Sequence, residues 1–239
     1  MKRRIFKVLL LLTATALISI PFVAPVMGQE SNKTEISVQE NVDIINKIME
    51  EETELSEIEK LNNEVDTAIE NMNVEMAEIE SIKDKKEWFI AYKEIVDKYS
   101  YILDPPERIY DYYTDEELDM FFRVVQAEIG DEYTFEQKCN VASVILNRID
   151  HYKFSDEMLE ILTPCQFETI NNGKYKNVEV SEDTILACEY AFEIEDTTGG
   201  CLFFDSNNTL NYEFVFNDGA HNFYKYKRKE FQEYVQEED

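Results

Sequence analysis

Histidine is scarce in this chain: His151 and His221 are the only two in 239 residues. With no His-Glu-x-x-His pattern either, a metallopeptidase helix and a three-histidine zinc site are excluded, and no metal is expected. Basic residues are also few. Lysine and arginine number 23 against 51 aspartates and glutamates, a formal net charge of −28. A polyanion of that strength repels phosphate backbones, which excludes nucleic acid as a partner. Helix breakers are missing from one long stretch, with no glycine or proline between Glu30 and Leu103. What remains is a 13% aromatic content, mostly in the second half, which argues against wholesale disorder. The length suits one domain of about 100–150 residues with an extension.

All 51 acidic residues follow residue 28. Before it, Met1 to Lys7 is a basic lead and Val8 to Ile20 an apolar run. Pro21 to Gly28 follows, with the small residues Val26 and Gly28 placed for cleavage before Gln29. This pattern predicts a signal peptide over 1–28 and an exported protein, secreted or held at the cell wall; the alternative is a retained membrane anchor. In an exported chain, Cys139, Cys165, Cys188 and Cys201 permit two disulfides in any of three connectivities, or else stay as small buried apolar residues.

Residues 29–103 read as a helical extension. Leu55, Ile58, Asn62, Val65, Ile69, Met72, Met76 and Ile79 recur at alternating spacings of three and four, as in a coiled coil or a long helical hairpin, in a pattern that starts near Ile44. The flanks of that seam carry Glu52, Glu54, Glu59, Asp66, Glu75 and Glu80, so a parallel self-dimer would face like charges. Intramolecular packing or a basic partner helix is expected ahead of self-association. Residues 84–103 continue helical with an aromatic face including Trp88, Phe89, Tyr92 and Tyr99. Asp104-Pro-Pro-Glu107 then breaks the chain, and the domain boundary is expected there.

In residues 104–239, Thr114-Asp-Glu-Glu117 is a capping box that opens a helix to about Ile129, with Gly130 as its stop. Thr134-Phe-Glu-Gln137 opens a second helix to about Ile149, apolar nearly all round except for Asn140, Ser143 and Asn147; such a helix belongs at the centre. Ser155 is expected to cap a short helix to Ile161, and Ser181 another to about Glu195. Short β-type runs follow at Cys201 to Phe204, Tyr212 to Phe216 and His221 to Tyr226. The fold class is α+β, a helical core followed by a small antiparallel sheet.

Glu128 is the candidate for chemistry. It follows Phe121 by seven, Val124 by four and Val125 by three, so it shares an apolar helix face and lies in the last turn, where the helix dipole disfavours negative charge. Both effects raise a carboxyl pKa toward the range of a general acid at neutral pH. Glu132 is a nearby second carboxyl, expected in the next turn.

Ala127-Glu128, Val141-Ala-Ser-Val-Ile-Leu-Asn-Arg148, Gln166-Phe167, Thr198-Gly-Gly-Cys-Leu-Phe-Phe204 and Ala220-His-Asn-Phe-Tyr-Lys225 occur in one order. That series resembles the cell-wall hydrolase family typified by the spore-cortex-lytic enzyme of spore-forming bacteria. The resemblance implies a lysozyme- or lytic-transglycosylase-like fold with Glu128 as catalytic acid. It also implies cleavage between N-acetylmuramic acid and N-acetylglucosamine in peptidoglycan glycan strands, without a cofactor. Gln166, Phe167, His221 and Tyr224, with Glu132, are then candidates for the glycan cleft, although core positions suit Phe167 and Tyr224 equally. The family's peptidoglycan-binding repeat is replaced here by the acidic helical segment, for which a protein partner is a further expectation. Two rival readings stay open: a wall-peptide cysteine peptidase using Cys165 and His221, and an inactive exported interaction module. A basic cluster, Lys225-Tyr-Lys-Arg-Lys229, offers local attraction to an anionic wall.

Overall fold

The computed structural model describes residues 38–227. The signal sequence expected over 1–28 lies outside these residues. So do Arg228 and Lys229 of the basic cluster, and the side chain of Ile44 at the start of the heptad pattern. The chain divides into two compact units between Val74 and Glu75, within one helix.

That helix, α1 (Val38–Ile79), carries thirteen acidic residues and two lysines, Lys47 and Lys60. Of its expected seam, Leu55 and Ile58 are each 52% exposed, and Asn62 is exposed too. Val65, Ile69, Met72, Met76 and Ile79 are half-buried. The periodicity is helical, as read, but the seam is open to solvent over its N-terminal half.

The second unit runs from Glu75. It takes in α2 (Lys85–Tyr99), which the sequence had placed in the extension on the far side of Asp104-Pro-Pro-Glu107. The reason is its aromatic face: Phe89, Tyr92, Ile95, Val96 and Tyr99 are buried, and the helix packs on α5 and α8. Asp84 caps α2 by accepting the Glu87 N–H at 2.9 Å.

After the short α3 (Ile109–Tyr112), Thr114 opens α4 (Asp115–Ile129) and Thr134 opens α5 (Phe135–Ile149), each through the capping box read from sequence. Gly130, at φ +76°, ends α4. The Glu132 carboxyl lies so close to the Gly130 Cα that a Cβ there would collide with it. Then come α6 (Met158–Ile161), α7 (Glu168–Asn171), a 3-10 turn (Lys174–Asn177) and α8 (Glu182–Glu193), capped by Ser181 as expected. Helix α6 starts later than expected. The Ser155 hydroxyl accepts the Glu157 N–H at 3.2 Å, which makes a turn rather than a cap, and Glu157 takes the N-cap position.

Helix α5 is the central element, packed by α2, α4, α6, α8 and the first strand. One side joins Val141, Ala142, Ile145 and Ile149 to Phe121, Val125, Met158 and Cys188 in the main core. Val144, on another side, packs with Cys201 and Phe223 under the sheet. The sheet pairs β1 (Phe203–Asp205), β3 (Asn222–Lys225) and β2 (Glu213–Asn217) in that spatial order, all antiparallel, with a bulge between Phe214 and Phe216.

The polar stripe of α5 ties the sheet's loops to the core. Asn140 donates to Asp218 at 2.9 Å and accepts from the Thr197 hydroxyl at 2.7 Å. Ser143 accepts the Thr197 N–H at 3.2 Å, and Asn147 donates to the Thr198 hydroxyl and the Cys201 carbonyl, each at 3.1 Å. Buried polar groups must be paired, so these residues fix where the 196–201 loop sits. None of the four cysteines is in a disulfide: Cys139, Cys188 and Cys201 are buried thiols and Cys165 is exposed.

Candidate active site

Glu128 occupies the last turn of α4, half-buried among core residues. The buried Thr169, in α7, donates its hydroxyl to Glu128 Oε1 at 2.6 Å. Burial pushes the Glu128 carboxyl above its ordinary pKa, and the nearby charge of Glu168 pushes the same way. Hydrogen bonds from the Thr169 side chain and backbone, and the charge of Lys174, oppose that rise. Lys174 also donates to the carbonyl of Ala127, one of the acceptors a helix C-terminus leaves open. The carboxyl is therefore biased toward its protonated form, while donors stand ready for the carboxylate it becomes on losing its proton.

Around this acid, sequence reading missed Thr169, Glu168, Lys174 and the full role of Arg148. Arg148 is 5% exposed. Its Nε donates to the Leu202 carbonyl at 2.7 Å and its Nη1 to Gln166 Oε1 at 3.3 Å. Its guanidinium lies 4.9 Å from the Phe167 ring centre and 5.6 Å from those of Phe154 and Phe203. Burial lowers its pKa to about 10, which leaves it charged at neutral pH.

The remaining candidates separate into two groups. Gln166 is exposed and held by Arg148, three residues before Thr169, on the segment that reaches Glu128. Phe167 and Tyr224, 3% and 1% exposed, fill the interior rather than line an open surface. The Tyr224 hydroxyl donates to Asp205 at 2.7 Å. Burial and that bond push its pKa up to about 12. Asp205 is brought down to about 2: partial burial opposes this, but hydrogen bonds from Thr209, Tyr224 and Asn208 outweigh it.

His221 is also buried, edge-on to Phe204 at 5.0 Å between ring centres, with Nδ1 unpaired. Burial lowers its pKa against the opposing charges of Asp218 and Asp205. Cys165 is exposed and makes no hydrogen bond with that buried ring, so the thiol–imidazole pair a cysteine peptidase needs is not assembled. Glu132 is exposed, its carboxyl folded back against Gly130.

Residues 133–232 match the cell wall hydrolase family, in a segment that begins five residues after Glu128. No curated protein sequence matches the chain. Among solved structures, the catalytic domain of the Bacillus cereus SleB protein is 22% identical, with 47% of this chain covering 92% of that one at a TM-score of 0.43. The catalytic domain of the germination-specific lytic transglycosylase SleB from Bacillus anthracis is likewise 22% identical. There, 49% of this chain covers 100% of that one at a TM-score of 0.44.

Proposed function

We propose that the second unit cleaves the glycan strands of peptidoglycan at the bond between N-acetylmuramic acid and N-acetylglucosamine, with Glu128 as the acid. The observation that carries this is the half-buried carboxyl at the end of α4, raised in pKa and bonded to Thr169, immediately before a segment that matches the cell wall hydrolase family. The order of motifs from Ala127-Glu128 to Ala220-His-Asn-Phe-Tyr-Lys225 supports the same substrate.

In the proposed reaction, protonated Glu128 gives its proton to the glycosidic oxygen as the bond to muramic C1 breaks. The N-acetylglucosamine side leaves with a free hydroxyl. The Glu128 carboxylate then takes the proton of the muramic C6 hydroxyl, whose oxygen closes onto C1 as a 1,6-anhydro ring. One carboxyl group serves both steps and is regenerated, and no water is consumed. The Thr169 donors and Lys174 hold the carboxylate between the two proton transfers.

Digestion of purified sacculi by the full chain tests this. Wild-type products lighter by one water than reducing-end muropeptides, and a loss of about a hundredfold or more in Glu128→Gln, are the expected results. Reducing-end products would instead mean hydrolysis by a second carboxylate. Glu168, whose charge reaches Glu128, is then the base to replace, ahead of the folded-back Glu132. Thr169→Val removes a bond that lowers the Glu128 pKa, so the alkaline limb of the pH–rate profile moves to higher pH. An unmoved limb would detach that limb from Glu128.

The chain acts outside the cytoplasm in this reading, delivered by the signal peptide expected over residues 1–28. The acidic helix α1 serves as a dock for a basic helix of a partner protein. Its open apolar seam needs covering, and the charges beside it repel a second copy.

A further inference from the structure

The aromatic residues of the second unit are unevenly distributed, and one group of them is neither core nor strand pairing. At the C-terminal end of α5, Tyr152 is 61% exposed and lies flat on His151, with 4.7 Å between ring centres. Beside it, Tyr212 lies flat on Phe203 at 3.9 Å and an interplanar angle of 5°. Tyr226 joins the two pairs, tilted against His151 at 5.6 Å and edge-on to Phe203 at 5.2 Å. Each of the two outer tyrosines has one face backed by a fixed ring, so it presents its other face without losing side-chain freedom on binding.

Two cations are built into this array. Lys153 sits 4.1 Å from the Tyr226 ring centre. Arg148 packs on Phe203 from the core side and forms no ion pair among the described residues. A buried guanidinium without a carboxylate is costly, and here rings and two hydrogen bonds compensate it. Arg148 also reaches Gln166, and three residues along the chain, a span of at most about 10 Å, Thr169 bonds Glu128. The array is an aromatic surface with one lysine, Lys153, at its rim, and Arg148 ties it from the core side to the segment that carries Thr169.

We propose that this array is a sugar-binding platform. Tyr152 and Tyr212 stack on the C–H faces of successive glycan rings, and Lys153 attracts the carboxylates of the peptide stems. Arg148 is a positioning residue that locks the platform to the Gln166–Thr169 segment, so that a strand lying on the tyrosines is presented to Glu128. The platform rests on the peptidoglycan reading, and the platform and the cleavage reaction can fail separately.

The test uses the full chain carrying Glu128→Gln, so that ligand is bound but not cut, with soluble peptide-free glycan strands as the probe in calorimetry. Tyr152→Ala and Tyr212→Ala are each expected to weaken binding about tenfold, and the Phe variants to retain it, with melting temperature unchanged. In the otherwise wild-type enzyme the same Ala changes raise KM and leave kcat nearly constant. Binding and KM unaltered in both Ala variants would overturn the platform. Should Tyr212→Ala unfold, the exposed Tyr152 decides alone. Tyrosine-dependent binding by a protein whose wild type cuts nothing would keep the platform and remove the proposed reaction. Cutting with a tyrosine-independent KM would do the reverse. Stem-bearing strands that bind more tightly than peptide-free ones, with the difference lost in Lys153→Ala, support the cationic part. No difference overturns that part.

Discussion

Helices α1 and α5 are both legible as helices from their spacing, yet they have opposite fates. Helix α1 has 42 residues and leaves Ile45, Ile48, Met49, Leu55, Ile58 and Leu61 each 49–60% exposed. Helix α5 has 15 residues and buries all but three of them, including Lys138 and Arg148. Periodicity reports that a segment is helical; the rest of the circumference decides whether it is buried. In α1 that remainder is acidic, and solvating so many carboxylates outweighs covering one narrow stripe. In α5 most of it is apolar, every amide finds a loop to hold, and the buried Lys138 and Arg148 have partners in Asp183, the Leu202 carbonyl and Gln166.

The difference should appear first in stability. Phe121→Ala, in the core that α4 shares with α5, is expected to cost about 3–5 kcal/mol in chemical denaturation. A loss below about 1 kcal/mol would mean that this core is as loosely held as α1.

A smaller effect comes from Glu193 on α8. Burial, and then the charge of Glu189, push its pKa up to about 7, against Lys93, Arg108 and the Ile109 N–H, and its Oε1 is buried without a partner. Burial raises the pKa of the neighbouring Tyr92, and the Glu193 charge adds to that rise. The folded state therefore prefers Glu193 protonated, whereas the unfolded chain titrates near 4.5. Stability tied to this group is complete below 4.5 and is lost as pH rises toward 7. Glu193→Gln should gain about 1–2 kcal/mol over wild type at pH 8 and nothing at pH 4.5. Equal melts at both values would show Glu193 solvated in the folded state.

The smallest effect belongs to the acidic helix. Leu55→Ala should change the denaturation of the second unit by no more than about 0.5 kcal/mol. A larger loss would show that the seam is already covered.

Local rules served well where the physics is local. The caps at Thr114, Thr134 and Ser181, and the stop at Gly130, each depend on groups three or four residues apart, and all are legible in the sequence. The late start of α6 shows the limit of that reading, since a serine can close a turn as readily as cap a helix. Glu128 was legible from its apolar neighbours and its place in the last turn. Thr169, 41 residues away, was not, because a bond across the core leaves no periodic trace. Arg148 stood in view as the end of a motif, but its surroundings come from three aromatic residues on separate segments. Phe167 and Tyr224 were ambiguous for the opposite reason: a ring suits a sugar and a core equally, and burial alone separates the two.

The state of the four thiols has a practical consequence. Cys139, Cys188 and Cys201 are enclosed, and burial raises the pKa of each, so they offer almost no thiolate to a reagent. Cys165 alone faces solvent, and it precedes Gln166 on the segment that leads to Thr169. A single maleimide dye therefore labels the folded protein at one place, four residues before the threonine that bonds the candidate acid. A change in its emission on adding glycan strands is the expected sign of binding at the proposed site, without any engineered cysteine.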